Sequence, residues 1–178
     1  MIHAAHAPSH DNDVYLAGPA FKVAGLQFTI PSRWQVVPAD NPVRVGQWQI
    51  PAPHSDGLGG EAVAYFFGAK GGGSAKENID GWINTMSNAE GHPASAEVTS
   101  RTAGGLKISQ VVIYGTYNQP IPLPGVPPRA MPNFALVGVV VESPQGSIYW
   151  RFTGPDALVK ADLPLFTKII DTLKPQEK

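Results

Sequence analysis

Residues 96 to 118 read AEVTSRTA, then Gly104-Gly105, then LKISQVVIYGTYN. Two runs rich in β-branched and aromatic residues, joined by two glycines, form a hairpin, because a two-residue turn needs positive φ and glycine adopts it freely. The chain must contain neighbouring antiparallel strands. A second pair repeats the pattern, with NFALVGVVVES and SIYWRFTG flanking Pro144-Gln145-Gly146. Any helices must then cover the faces of an antiparallel sheet rather than serve as crossovers in a parallel one.

Further strands precede these. FKVAGLQFTIP, residues 21 to 31, places Leu26, Phe28 and Ile30 on one face, with Gly25 as a turn or bulge and Pro31 as the stop. Trp34 and Val36 resume that pattern. VRVGQWQIP, residues 43 to 51, and Ala62 to Phe67 are the next two. QPIPLPGVPPRAMP, residues 119 to 132, holds six prolines and reads as a loop, since proline removes backbone donors and favours extended geometry.

Two segments carry a helical period instead. Ile79, Trp82, Ile83 and Met86 form one apolar stripe in a helix over about Ala75 to Ser87. Leu165, Phe166, Ile169, Ile170 and Leu173 form another in the closing segment PDALVKADLPLFTKIIDTL, where Pro164 either kinks the helix or marks a start after Asp162. The expected fold is α+β, an antiparallel sheet of about six strands with helices packed on its faces. Residues 1 to 19 lack periodicity and read as a flexible tail, so one domain over 20 to 175 is expected.

The stretch AVAYFFGAKGGGSAKENIDGW, residues 63 to 83, has the strand, glycine loop and helix order of a phosphate site. Its spacing fits neither phosphate motif. A Walker loop ends in Gly-Lys-Ser/Thr, whereas Lys70 precedes the glycines here and Ala75 follows Ser74. The dinucleotide pattern fails at Lys76, where its third glycine belongs. Ser74 and Glu77 instead match the S-x-x-E capping box of a helix start. A serine-hydrolase elbow also fails, because Gly72-Gly73-Ser74-Ala75-Lys76 lacks the closing glycine.

Charge and composition narrow the function classes. Net charge is −1, with no run of lysine or arginine, so nucleic acid is not an expected partner. No stretch approaches the roughly 18 apolar residues of a membrane-spanning helix. The 178 residues include no cysteine, which excludes disulfides, thiolate metal sites and thiol nucleophiles. His3, His6 and His10, with Asp11 and Asp13, are the weak metal candidates, yet their spacing matches no known site. No cofactor is expected. Trp82 and Trp150 belong to the core pattern, whereas Trp48, Tyr117 and Arg129 border loops and are the candidates for contact with a ligand or an unidentified protein partner.

The opening strand FKVAGLQFTIPSRW, ending in Ile-Pro-x-x-Trp, and the closing YWRFTGPDALVKADLPLFTKIIDTL resemble the two ends of PsbP-like domains. That family includes the extrinsic PsbP protein of photosystem II, exported bacterial relatives, and a nuclear-import factor that binds the GTPase Ran. The resemblance covers about Phe21 to Leu173. It implies an α/β/α sandwich and a non-catalytic binding or assembly role, with no catalytic set to carry over; this chain lacks the acidic surface expected of a Ran binder. Only 15% of residues are charged, cysteine is absent and the leader MIHAAHAPSHDND is polar without a signal peptide, a combination that suits an exported bacterial protein of the periplasm or cell envelope. The alternative is a small-ligand protein or hydrolytic enzyme using the 68–77 loop.

Overall fold

The computed structural model describes residues 18–39, 41–52 and 57–177. The expected tail, apart from Gly18 and Pro19, lies outside the described residues, and so do His3, His6, His10 and His54. Within them, two sheets and two helices form (all pairings antiparallel). β1 (Ala20–Val23), β2 (Leu26–Thr29) and β11 (Lys174–Pro175) make a small three-stranded sheet. The main sheet contains β3 (Gln35–Val36), β4 (Arg44–Ile50), β5 (Gly60–Phe66), β6 (Met86–Ser87), β7 (Ala96–Ala103), β8 (Leu106–Gln119), β9 (Arg129–Ser143) and β10 (Gly146–Pro155). Its order is β3-β4-β5-β10-β9-β8, with β6 and β7 both paired to the outer side of the long β8.

The sheet therefore has eight strands, not about six. The two extra ones, Gln35–Val36 and Met86–Ser87, are two residues long. A segment that short shows no period of its own. It exists because a longer neighbour offers it unpaired backbone groups. Both glycine-marked hairpins form as expected, at Gly104-Gly105 and at Pro144-Gln145. The first segment differs from a single strand: Ala24 and Gly25 both take positive φ, 51° and 74°, and turn β1 back onto β2. Val36 also departs from its expected face, being 72% exposed at the sheet edge while Trp34 is buried.

One face of the main sheet is covered by helix α2 (Asp156–Asp171) together with the small sheet. Val137, Val139, Trp150 and Phe152 on the strands meet Phe166, Ile169 and Phe28. Trp150 is fully buried and sits among Trp48, Phe21, Phe28 and Phe166, with ring centroids 5.5, 5.6, 5.2 and 6.3 Å away, within the range of about 4.5–7 Å that aromatic pairs favour. Pro164 lies inside α2 rather than at its start. The helix continues because Leu158, Val159, Leu165 and Phe166 are all buried against the sheet, and tertiary burial outweighs the lost backbone hydrogen bond. Arg33 pairs with Asp162, tying the loop after β2 to this helix.

The opposite face is only half covered. Helix α1 (Ala75–Asn84) packs over β6, β8 and β9. Ile79 and Trp82 meet Val111, Ile113 and Leu136, and the Trp82 ring occupies the space where a side chain at position 138 would stand, which is why glycine is there. The helix ends earlier than the expected Ser87, since Thr85 caps it by donating from Oγ1 to the Trp82 carbonyl and Met86 enters β6. At its start the capping box is complete: Glu77 N donates to Ser74 Oγ at 3.1 Å, and Ser74 N donates to Glu77 Oε2 at 2.8 Å.

These bonds lower the pKa of Glu77. Its contribution to stability is therefore complete above the ordinary carboxylate range and is lost as pH falls through the lowered folded-state value. Ser74→Ala is expected to cost about 1 kcal/mol, the usual price of an N-cap, seen as a lower urea midpoint at pH 7. An unchanged midpoint would disprove the role of the cap.

Candidate functional site

Alternation along β4, β5 and β10 sends Trp48, Ala62, Ala64, Trp150 and Phe152 into the core. Their neighbours must face the other way. In register, Gln35, Gln49, Glu61 and Thr153 stand side by side across four adjacent strands. One row along are Gln47, Val63 and Arg151; beyond them, Arg44, Tyr65 and Tyr149. These rows lie on the α1 side of the sheet, on strands that α1 itself does not cover, and the glycine loop covers Tyr149 at their far end.

An aromatic wall closes the end of the first row. The β8–β9 register shifts so that Pro132 and Asn133 together oppose Thr116, a bulge in β9. Proline fits there because it has no N–H to offer the ladder, and Asn133 adopts the left-handed conformation (φ 57°) that asparagine tolerates better than most residues. The extra residue puts Met131 and Phe134 on the same face, where both pack near Tyr117. Tyr117 and Phe134 stack at 6.4 Å with planes 17° apart. Between this wall and the polar row lies a cleft of about 400 Å³, lined by Gln49, Glu61, Thr153, Tyr117, Met131 and Phe134 among others.

Tyr117 and Thr153, which both line the cleft, are only 4% and 6% exposed. Burial raises the pKa of Tyr117, with Arg151 opposing and Glu61 adding to the shift. The phenol stays protonated at neutral pH. Arg151 approaches Glu61 at 3.6 Å, and the guanidiniums of Arg44 and Arg151 each lie 5.7 Å from the Tyr65 ring centre.

The expected contact residues do not assemble into one site. Tyr117 stands in the cleft wall. Arg129 is exposed at the start of β9, paired with Gln119 on the cleft rim. Trp48 is 4% exposed on the opposite face and stacks on Trp150, so it belongs to the core. The proline-rich loop is shorter than expected, because β8 runs to Gln119 and β9 begins at Arg129. Glu61, Tyr65, Thr153 and Arg151 were not singled out from sequence. Their signal was present in strict alternation: Arg151 and Thr153 interleave with Trp150 and Phe152.

The glycine loop faces a different task. Tyr149 donates from its hydroxyl to the Gly73 carbonyl at 2.6 Å, Asn78 donates to the Gly72 carbonyl at 2.7 Å, and the Gly72 backbone (φ 90°) lies against the Tyr149 ring. The helix start that an anion would use is occupied by the Glu77 carboxylate. Among the described residues, no group of three histidine, aspartate or glutamate side chains is placed to hold a metal, and no helix is long and apolar enough to cross a membrane.

No family model and no curated protein matches this sequence. Solved structures do. The solution structure of cyanobacterial PsbP from Synechocystis sp. PCC 6803 is similar with a TM-score of 0.52 at 12% identity, covering 86% of this chain and 88% of that one. A Pseudomonas aeruginosa protein of unknown function is similar at a TM-score of 0.47 and 15% identity, covering 90% of this chain and 98% of that one. At such identities likeness speaks for architecture. With α2 and the small sheet on one side of the main sheet and α1 on the other, the chain has a PsbP-like fold.

Proposed function

We propose that this protein is a non-catalytic binding module of the bacterial periplasm or cell envelope, and that it engages its partner through the cleft beside Tyr117. One observation carries the reading. Polar side chains from central strands, Gln49, Glu61 and Thr153, converge on one cleft closed at its end by the aromatic wall of Tyr117 and Phe134. Binding sites are built this way, as a concave, partly apolar cleft with a few fixed polar groups. Catalysis would need a nucleophile with a base in hydrogen-bond reach. Tyr117 is held protonated, and the charged neighbour of Glu61 is Arg151. The low charge density and absent cysteine support export, and the accessory roles typical of PsbP-like domains support binding.

Site-specific photo-cross-linking in intact cells tests this. A cross-linker at Gln119, exposed on the cleft rim, should capture one discrete partner, and one at Lys76, exposed on α1, should not. Capture from Lys76 alone would refute the assignment of the face. Ester hydrolysis by the purified protein that is lost on Ser74→Ala would restore the enzyme alternative. Release of the native protein by osmotic shock is expected; recovery solely in the cytosolic fraction would overturn export.

A further inference from the structure

The binding reading leaves the ligand's chemistry open, and the row of side chains next to the cleft bears on it. Arg44 on β4 stands directly opposite Tyr65 on β5, and Arg151 on β10 stands one row along, opposite Val63. Three adjacent strands thus bring two guanidiniums to one tyrosine ring, each 5.7 Å from its centre. Among the described residues one carboxylate, Glu61, pairs with them, and its 3.6 Å approach to Arg151 is longer than a hydrogen bond. The cluster carries one positive charge in excess.

Its donors are also unspent. A guanidinium has five N–H groups in a planar fork. Arg44 uses one, to the Gln47 side chain at 3.3 Å. The Arg151 guanidinium makes no hydrogen bond to the described residues; its side chain is 19% exposed, and its Nε is buried without a partner. Buried donors are normally satisfied, and a group that is not calls for a missing partner. The fork geometry suits a carboxylate held by two parallel bonds, and a single excess charge matches one carboxylate better than a phosphate dianion.

We propose that Arg44 and Arg151 receive the C-terminal carboxylate of a peptide whose last residues lie in the adjoining cleft. This rests on the binding-module reading and names its ligand class. Glu61 joins the two regions, since it pairs with Arg151 and also lines the cleft. From there Thr153, Gln49 and Tyr117 offer both donors and acceptors, which peptide amides require, and Phe134 supplies an apolar surface for a side chain. The volume of about 400 Å³ lies in the range of small-ligand sites, about 300–1,000 Å³.

The test is titration of the full chain with N-acetyl-dialanine and with its C-terminal amide, followed by calorimetry and amide-shift mapping. The acid should bind saturably, weaken as salt rises, and exceed the amide by roughly ten-fold or more, because only the acid engages both forks. Arg151→Gln and Arg44→Gln should each lower affinity by a similar factor, and Arg151→Lys should restore part of it. Circular dichroism checks the fold of each variant; should Arg151→Gln unfold, Arg44→Gln alone decides. Equal binding of acid and amide, no binding up to millimolar concentration, or unchanged binding by Arg44→Gln overturns the proposal. Inorganic phosphate competing as well as the acid overturns it in favour of a general anion site. If the peptides fail and Gln119 still cross-links a partner, the carboxylate assignment falls and the binding module stands.

Discussion

Trp150→Ala is expected to destabilise the protein by about 3–5 kcal/mol, the range for removing a large aromatic side chain from a packed interior. Trp150 sits where everything on its side of the sheet meets: the β1–β2 hairpin through Phe21 and Phe28, strand β4 through Trp48, and α2 through Phe166. Truncation leaves a cavity bounded by rigid aromatic rings and two sheets, which cannot collapse to fill it. Trp150→Phe should cost much less, because it keeps most of the apolar contact and removes an indole N–H that is buried without a partner. Urea midpoints with unchanged slope measure both. Similar losses for alanine and phenylalanine would show that indole shape, not burial, sets the cost.

Gly138→Ala is the second large effect. A Cβ at this position would stand 2.7 Å from Cδ2 of Trp82 and closer still to the ring's six-membered half. Position 138 is on a central strand paired on both sides, to Val111 and Arg151, so the backbone cannot retreat. The ring, and with it α1, has to lift. Overpacking of this kind costs about 1–3 kcal/mol, and the loosened helix should also expose the neighbouring Ile79. The check is a double-mutant cycle: Trp82→Ala costs stability in the parent protein, and the same change in the Gly138→Ala background should cost far less. Strict additivity would mean that the two positions do not share space.

How much of this was legible in the sequence follows from the physics of each signal. The glycine hairpins, the capping box and the two helical stripes are local, so they were readable, and the PsbP-like layering follows from stripes that must cover a sheet. The strands β3 and β6 were not, because their pairing is decided by neighbours more than ten residues away. Pro164 illustrates the same limit: local rules allow it either to kink a helix or to start one, and burial of Leu158 and Val159 decides for a helix that begins eight residues earlier. For the cleft, Tyr117 was singled out by its position beside a loop. Its companions Glu61, Thr153 and Arg151 come from three strands separated in sequence, and only register brings them together. Trp48 shows the converse. Proximity to a loop in sequence said nothing about which face its strand would turn inward.

The β1–β2 hairpin and β11 lie together on one side of the main sheet, joined by pairing of Lys174 and Pro175 to β2 and by the bond from Gln176 N to the Gly25 carbonyl. The described chain thus enters and leaves through the small sheet, behind the face that holds the cleft. A tether attached ahead of Gly18 or after Glu177 would let the protein stand on a surface with its back to the support and its cleft turned outward. Grafting onto a sensor chip through either end should preserve full binding capacity, whereas coupling through Lys76 on α1 should mask part of it.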